Sequence, residues 1–271
     1  MQNPFPHPLL KDLSIQITAL SAKQTEARIK LCVENVLPVS LTFDSLHYRI
    51  FIDNLEVVKN GSYIKSIHVG ARANGCIYLP MTVYNEQLIS VLNKHKSIHM
   101  DSAEYLFQLT LFADIPILKQ KTFEIKKELP VIYMPEIAIK HMKIDSLNFK
   151  KGTVELFVEL KNPNTISFKF DHVAYSFSVE GNEWVKGDIP QIIDLRSKSD
   201  TILDVPLRLA IGEIIKTFFR NLKNENSSSY QFHLSFQIES ENKMIEGTKV
   251  TLINSGTFKE LKKAARDMKS D

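Results

Sequence analysis

Two cysteines in 271 residues are too few for a disulfide scaffold, and Cys32 and Cys76 stand singly rather than in the close pairs a zinc site uses. Their alternation phase points both outward, where two free thiols or one Cys32–Cys76 bridge would each fit. Nine glycines leave no Gly-rich phosphate loop and no nucleophile elbow. No run of 18 apolar residues exists, so no helix able to span a membrane is expected. Nor does charge of one sign gather. Lys and Arg total 34 against 31 Asp and Glu, dispersed along a chain of net charge +3, which argues against a nucleic-acid partner. The opening MQNPFPHPLLKDL lacks the basic cluster and apolar run of a signal peptide. If Met1 is the true start, a cytoplasmic location follows; if a leader was removed, the cell envelope or periplasm does.

Apolar side chains are plentiful at 44%, with 24% charged, the balance of a folded chain rather than a solvated one. That length suits two domains of ordinary size. Internal repetition settles the division. Displaced by about 127 residues, ARIKLCVENVLPVSLTFDSLHYRIFIDNLEVVKN falls without a gap on TVELFVELKNPNTISFKFDHVAYSFSVEGNEWVKG. Asn35 meets Asn162, Phe43 meets Phe170, Asp44 meets Asp171, Tyr48 meets Tyr175 and Glu56 meets Glu183. The alternation repeats better than the identities. Ile29, Leu31 and Val33 alternate with polar neighbours as Val154, Leu156, Val158 and Leu160 do, and Leu46, Tyr48, Ile50 and Ile52 match Val173, Tyr175, Phe177 and Val179.

Period two marks half-buried strands, and a slip of one residue would turn every apolar side chain to water. Further on, Ile77, Leu79, Met81 and Val83 match Leu203, Val205, Leu207 and Leu209, with Pro80 over Pro206. A proline there predicts an edge or a bulge. NEQLISVLNKHK and GEIIKTFFRNLKN then carry apolar residues near helical spacing, and each copy closes with strands. Hairpin turns are expected at residues 52–56 and 180–183, with Asn54 and Gly181 at matching places, residue types that tolerate positive φ. Six or seven short strands and one short connecting helix per copy, without βαβ alternation, predict an all-β chain of two tandem β-sandwiches. Pro130 and Pro135 in KKELPVIYMPE bracket the join. The expected organisation is a tail at 1–12, a domain at 13–128, a linker at 129–136, a second domain at 137–257 and a tail at 258–271.

The second copy resembles the late embryogenesis abundant type 2 family, the water stress and hypersensitive response domain. The resembling residues are VELFVELKNPNTISFKFDHVAYSFSVEGNEWVKG, with Asn162-Pro163-Asn164, Tyr175, Gly181 and Gly187, then Val205-Pro206 and the closing SGTFKEL. The first copy reads ENVLPVS and keeps only Asn35, so its place rests on the repeat; together the copies cover roughly residues 13 to 260. The resemblance implies an immunoglobulin/fibronectin-III-like sandwich with one helix in a connection. It implies a non-enzymatic protein of desiccation and stress protection, with no catalytic, metal or cofactor residues to carry over. Asn162, Pro163 and Asn164 are expected to build a structural turn, since asparagine caps its own backbone and proline pre-sets φ.

Other constellations are thin. His95 and His99 have the i, i+4 spacing of a metal pair, but the glutamate of a zinc-protease motif is missing. Trp184, the only tryptophan, follows a hairpin turn; it either rims the core or grips a ligand. In FKELKKAARDMKSD, Phe258, Leu261, Ala265 and Met268 form an apolar stripe opposite basic residues. Peripheral contact with an anionic membrane is one reading. The thin stripe and the acidic Glu260, Asp267 and Asp271 favour docking on the second domain or fraying. The leading expectation is therefore a non-catalytic stress-protection or binding scaffold with an unknown protein or small ligand as partner. The alternative is an envelope-associated adhesion or ligand-recognition module using loops or sheet edges, and a hydrolase is the least supported reading.

Overall fold

The computed structural model describes residues 8–86, 88, 101–113, 119–147, 152–209, 216, 217, 220, 221, 223 and 228–261. Among these lie sixteen strands. The chain divides into two compact units: residues 1–19 with 23–132, and residues 20–22 with 133–271.

In the first unit the strands are β1 (Leu9–Leu20), β2 (Gln24–Glu34), β3 (Leu41–Ile52), β4 (Leu55–Tyr63), β5 (Ile67–Val69), β6 (Asn74–Tyr84), β7 (Ser102–Ala113) and β8 (Gln120–Pro130). β1, β2 and β6 lie side by side in that order, while β4, β3, β7 and β8 form the other layer, with β5 also paired to β3. The second unit repeats the plan with β9 (Glu136–Leu147), β10 (Gly152–Lys161), β11 (Phe168–Val179), β12 (Asn182–Ile189), β13 (Ile193–Leu195), β14 (Asp200–Leu209), β15 (Ser229–Glu239) and β16 (Lys249–Thr257). β9, β10 and β14 make one layer; β12, β11, β15 and β16 lie side by side in the other, with β13 on β11. Among the described residues each unit is a β-sandwich of eight strands, where six or seven are expected. The three-residue β5 and β13 are too short to show a period, and β1, paired beside β2, starts within the segment expected to be a tail.

Alternation builds each core. Ile29, Leu31 and Val33 of β2 face Leu46, Tyr48 and Ile50 of β3 and Phe107, Leu109 and Leu111 of β7, all buried. Val154, Leu156, Val158 and Leu160 of β10 face Phe168, Phe170 and Phe177 of β11 and Phe232, Leu234 and Phe236 of β15. Burying a side chain of this size is worth about 1.5–3 kcal/mol, so these rows dominate folding. The hairpins close as their residues require: Asp53 (φ 45°) with Asn54 (φ 65°), and Glu180 (φ 48°) with Gly181 (φ 78°). Positive φ at both central positions is the primed turn that matches strand twist. β6 and β14 end their layers, so Pro80 and Pro206 interrupt no ladder on the free side.

Cys32 and Cys76 are directly paired across β2 and β6 and joined by a disulfide with Cα atoms 4.1 Å apart. The free-thiol alternative is thereby removed. At the join β8 runs to Pro130, and Val131, Ile132 and Tyr133 are buried. Asn85, Glu86 and Leu88 are helical, as are residues 216, 217, 220, 221 and 223; the remainder of both expected helices lies outside the described residues.

Candidate functional site

Three of the five buried polar side chains among the described residues, Asn35, Asn162 and Asn164, lie in the turn after the second strand of a unit. Asn162, directly beyond β10, is 1% exposed. Its Nδ2 donates to the carbonyls of Ile166 (2.7 Å), Arg196 (3.0 Å) and, more weakly, Leu195 (3.4 Å). Its Oδ1 accepts from Asn164 N at 2.9 Å, the side-chain turn that the Asn-x-Asn spacing predicts. Asn35 does the same after β2, donating to Val39, Gly70 and Val69 and accepting from Leu37 N at 3.0 Å. Each asparagine thereby ties its turn to the segment following the fifth strand of its unit. Arg72 and Lys198, both at φ 50°, return their N–H groups to Leu37 O and Asn164 O.

Asn164 has a second task that the first copy lacks. Its Oδ1 accepts from Tyr133 N (2.7 Å) and its Nδ2 donates to Tyr133 O (2.9 Å), a two-point clamp on the segment entering the second unit. Pro163, half-buried, pre-sets the turn between the two asparagines. Asn162-Pro163-Asn164 is thus a hydrogen-bonded node with its amides spent on backbone. The clamp on Tyr133 was invisible in the sequence because its partners lie far apart in the chain. The Asn35 counterpart was visible as an aligned residue, though not as the same set of bonds.

A second paired feature joins the layers. Tyr175 Oη donates to Pro206 O at 2.5 Å, and Tyr48 Oη reaches Pro80 O at 3.5 Å. Burial raises both phenols above their ordinary pKa. The ring of Tyr175 lies over Gly187 of β12, where a Cβ would come within 2.6 Å of Oη; Gly61 of β4 stands in the same relation to Tyr48. Proline supplies a carbonyl in an edge strand, tyrosine reaches it, and glycine makes room.

Trp184 is half-buried against Phe258, ring centroids 6.3 Å apart. Phe258 and Leu261 are buried. The first turn of the C-terminal segment, helical from Phe258 to Leu261, is closed by a capping box: Thr257 N donates to Glu260 Oε2 at 2.6 Å. Those bonds from Thr257 hold the Glu260 carboxyl below its usual range. Ala265, Met268 and the basic residues after Leu261 lie outside the described residues, as do His95 and His99.

Two depressions mark the surface of the second unit. One, of about 690 Å³, lies beside the Asn162 turn, with Thr165, Ser167 and Lys169 on one side and Asp194, Glu239 and Glu241 among its carboxylates. The other, of about 380 Å³, lies on the outer face of β11, β12 and β15, between Ser176, Ser235, His233, Lys186 and Asp188. Ala174 and Ser176 line it with small side chains; the aligned His47 and Arg49 of the first unit are larger. No group of three metal-donor side chains gathers among the described residues. No described helix is long and apolar enough to cross a membrane.

Residues 157–251, from β10 into β16, match the family model of the late embryogenesis abundant proteins. No curated protein matches the chain. Among solved structures, the chain is similar to a protein from Archaeoglobus fulgidus at 15% identity, over 46% of this chain and 100% of that one, with a TM-score of 0.38. It is similar to red sea bream transglutaminase at 9% identity, over 90% of this chain and 30% of that one, with a TM-score of 0.29. A glycosyl hydrolase family 2 member from Bacteroides cellulosilyticus DSM 14838 aligns at 10% identity, over 88% of this chain and 29% of that one, with a TM-score of 0.32.

Proposed function

We propose that this chain is a non-catalytic, folded scaffold of the late embryogenesis abundant type 2 kind, acting in protection of other macromolecules during water loss. The match of residues 157–251 to that family carries the reading. The internal chemistry supports it. The buried asparagines and tyrosines that recur in both units are committed to turns and interlayer bonds, a use of polar groups that fixes strand register rather than holding a reactant. A sandwich locked in this way keeps its shape as water activity falls, and its charged outer faces can shield the surfaces of neighbouring proteins.

Drying a labile reporter enzyme with this protein, or with an equal mass of serum albumin, tests the proposal. Greater recovered activity with this protein is expected. Recovery equal to that given by albumin removes the protective role.

A further inference from the structure

Strands that end a sheet present unpaired backbone groups, and folded proteins normally block them with proline, a bulge or a short length. Among the described residues, five of the strands that end a layer are blocked in this way. β6 carries Pro80 and β14 carries Pro206. The pairings of β4 with β3, β9 with β10 and β12 with β11 are all broken by register shifts. β8 differs. It ends the sheet β4-β3-β7-β8, runs eleven residues, and pairs with β7 in unbroken register from Ser102↔Pro130 to Phe112↔Gln120.

The direction of its free groups follows from the ladder. At one end Ala113 N donates to Lys119 O, and at the other Val131 N donates to Asp101 O. Both bonds keep the same register, so odd-numbered residues of β8 face β7. Antiparallel alternation then turns the N–H and C=O of Thr122, Glu124, Lys126 and Glu128 to the open side. On the inner face Phe123, Ile125 and Leu129 are only half-buried, whereas Val250 and Leu252 of the corresponding strand β16 are each 1% exposed.

We infer that the β8 edge pairs antiparallel with β8 of a second copy of this chain, about a two-fold axis at Ile125. In that register Ile125 faces its equivalent, and Glu124 lies opposite Lys126 twice, once on each side of the axis. Thr122 lies opposite Glu128, and Phe123 rests on the aliphatic stem of Lys127. Hydrogen-bonded positions coincide with the charged pairs, because those residues carry the outward backbone groups. Neighbouring registers that keep the faces aligned are unfavourable. Centring on Glu124 sets it against itself and Lys121 against Lys127; centring on Lys126 sets it against itself and Glu124 against Glu128. Like charges directly opposite destabilise a strand pair, so this sequence selects one register. The inward Lys121 and Lys127 hinder indiscriminate strand addition on the same edge. This inference is independent of the protective role.

Sedimentation equilibrium of the full chain tests it with K126E, E124K and their mixture. Both positions are exposed, but Lys126 pairs with Glu104 and Glu124 accepts from Gln108 on β7, so circular dichroism and the unfolding midpoint of each variant are measured first and sedimentation is compared where each variant is fully folded. The unaltered chain is expected to dimerise with concentration, and each variant alone to lose about tenfold or more in dimer affinity. Mixing the two restores the dimer, because each Glu then meets a Lys across the axis. A chain that stays monomeric up to its solubility limit, a dimer that ignores both substitutions, or a mixture that fails to recover would each overturn the inference.

Discussion

Asn35 and Asn162 hold equivalent backbone groups in two different units: each donates to one carbonyl of its own turn and to two at the end of a short strand, and each accepts one N–H two residues on. An amide side chain that satisfies so many buried groups has no apolar substitute. Asn162→Ala is expected to destabilise the second unit by about 2–4 kcal/mol, since each buried group left unpaired costs about 1–3 kcal/mol. Asn162→Asp should do no better: it keeps the acceptor for Asn164 N but turns an oxygen toward carbonyl oxygens. Denaturant unfolding measures both, and Asn35→Ala supplies the matched experiment in the first unit. A loss under about 0.5 kcal/mol, as at an ordinary surface position, would contradict the role.

The disulfide makes a separate claim on the first unit. Cys32 and Cys76 close a loop with a sequence separation of 44, for which the chain-entropy model gives about 4 kcal/mol. Replacing both with serine, or adding a dithiol reductant, should lower the thermal midpoint of the first unit. The second unit has Glu159 opposite Ile202 at the aligned place and should be unaffected by reductant. Calorimetry of oxidised and reduced protein distinguishes the two transitions.

What could be read in advance follows physical range. Period-two rows such as Leu46-Tyr48-Ile50-Ile52 announce strands because each side chain's burial is fixed by its immediate neighbours. Asn54 and Gly181 announce turns because backbone sterics act within a residue or two. The sequence leaves the disulfide open because pairing depends on which strands lie side by side, and a separation of 44 residues carries no local mark of that. The clamp of Asn164 on Tyr133 and the fit of Tyr175 over Gly187 are long-range in the same sense. The half-buried row of β8 reads in sequence like any other strand; only the layer order shows that nothing described flanks it.

Tyr175 and Gly187 make a steric prediction. A methyl at Gly187 would lie 2.7 Å from Tyr175 Cζ as well as against its hydroxyl, in a core where the ring has little room to move. Gly187→Ala should therefore cost about 1–3 kcal/mol, the range for overpacking. Tyr175→Phe should cost about 1–2 kcal/mol through the orphaned Pro206 carbonyl. In the double variant the two losses should not add, because removing the hydroxyl relieves the closest clash. A double-mutant cycle by urea denaturation reads this coupling.

Alkaline pH should weaken the fold through its phenols. Burial, with the nearby Glu260 charge, pushes Tyr230 up to about 12, and burial raises Tyr48 and Tyr175. Unfolded tyrosines titrate near about 10. Above that the unfolded chain gives up protons that the folded one keeps. The stability they confer is therefore complete below about pH 10 and disappears as pH rises through the folded values. Denaturant midpoints should fall across this window while tyrosinate absorbance rises, and Tyr230→Phe should flatten the fall. A midpoint constant to pH 12 would contradict the burial of these rings.

Trp184 reports on the start of the C-terminal segment. Its ring packs on Phe258, whose side chain is fully buried, and the Thr257–Glu260 capping box sets the turn that brings Phe258 there. Because the chain has one tryptophan, its emission reports on the surroundings of this ring. Phe258→Ala should destabilise the second unit by about 3 kcal/mol, the lower end of the range for a buried phenylalanine, and shift the emission to the red as water reaches the indole. Thr257→Ala should give a smaller loss of about 1 kcal/mol by removing the cap while leaving the aromatic pair in place. If instead Trp184 were poised to grip a ligand, Phe258→Ala would leave its emission unchanged. Fluorescence of the two variants in native buffer, without added ligand, decides between a wall of the core and a binding surface.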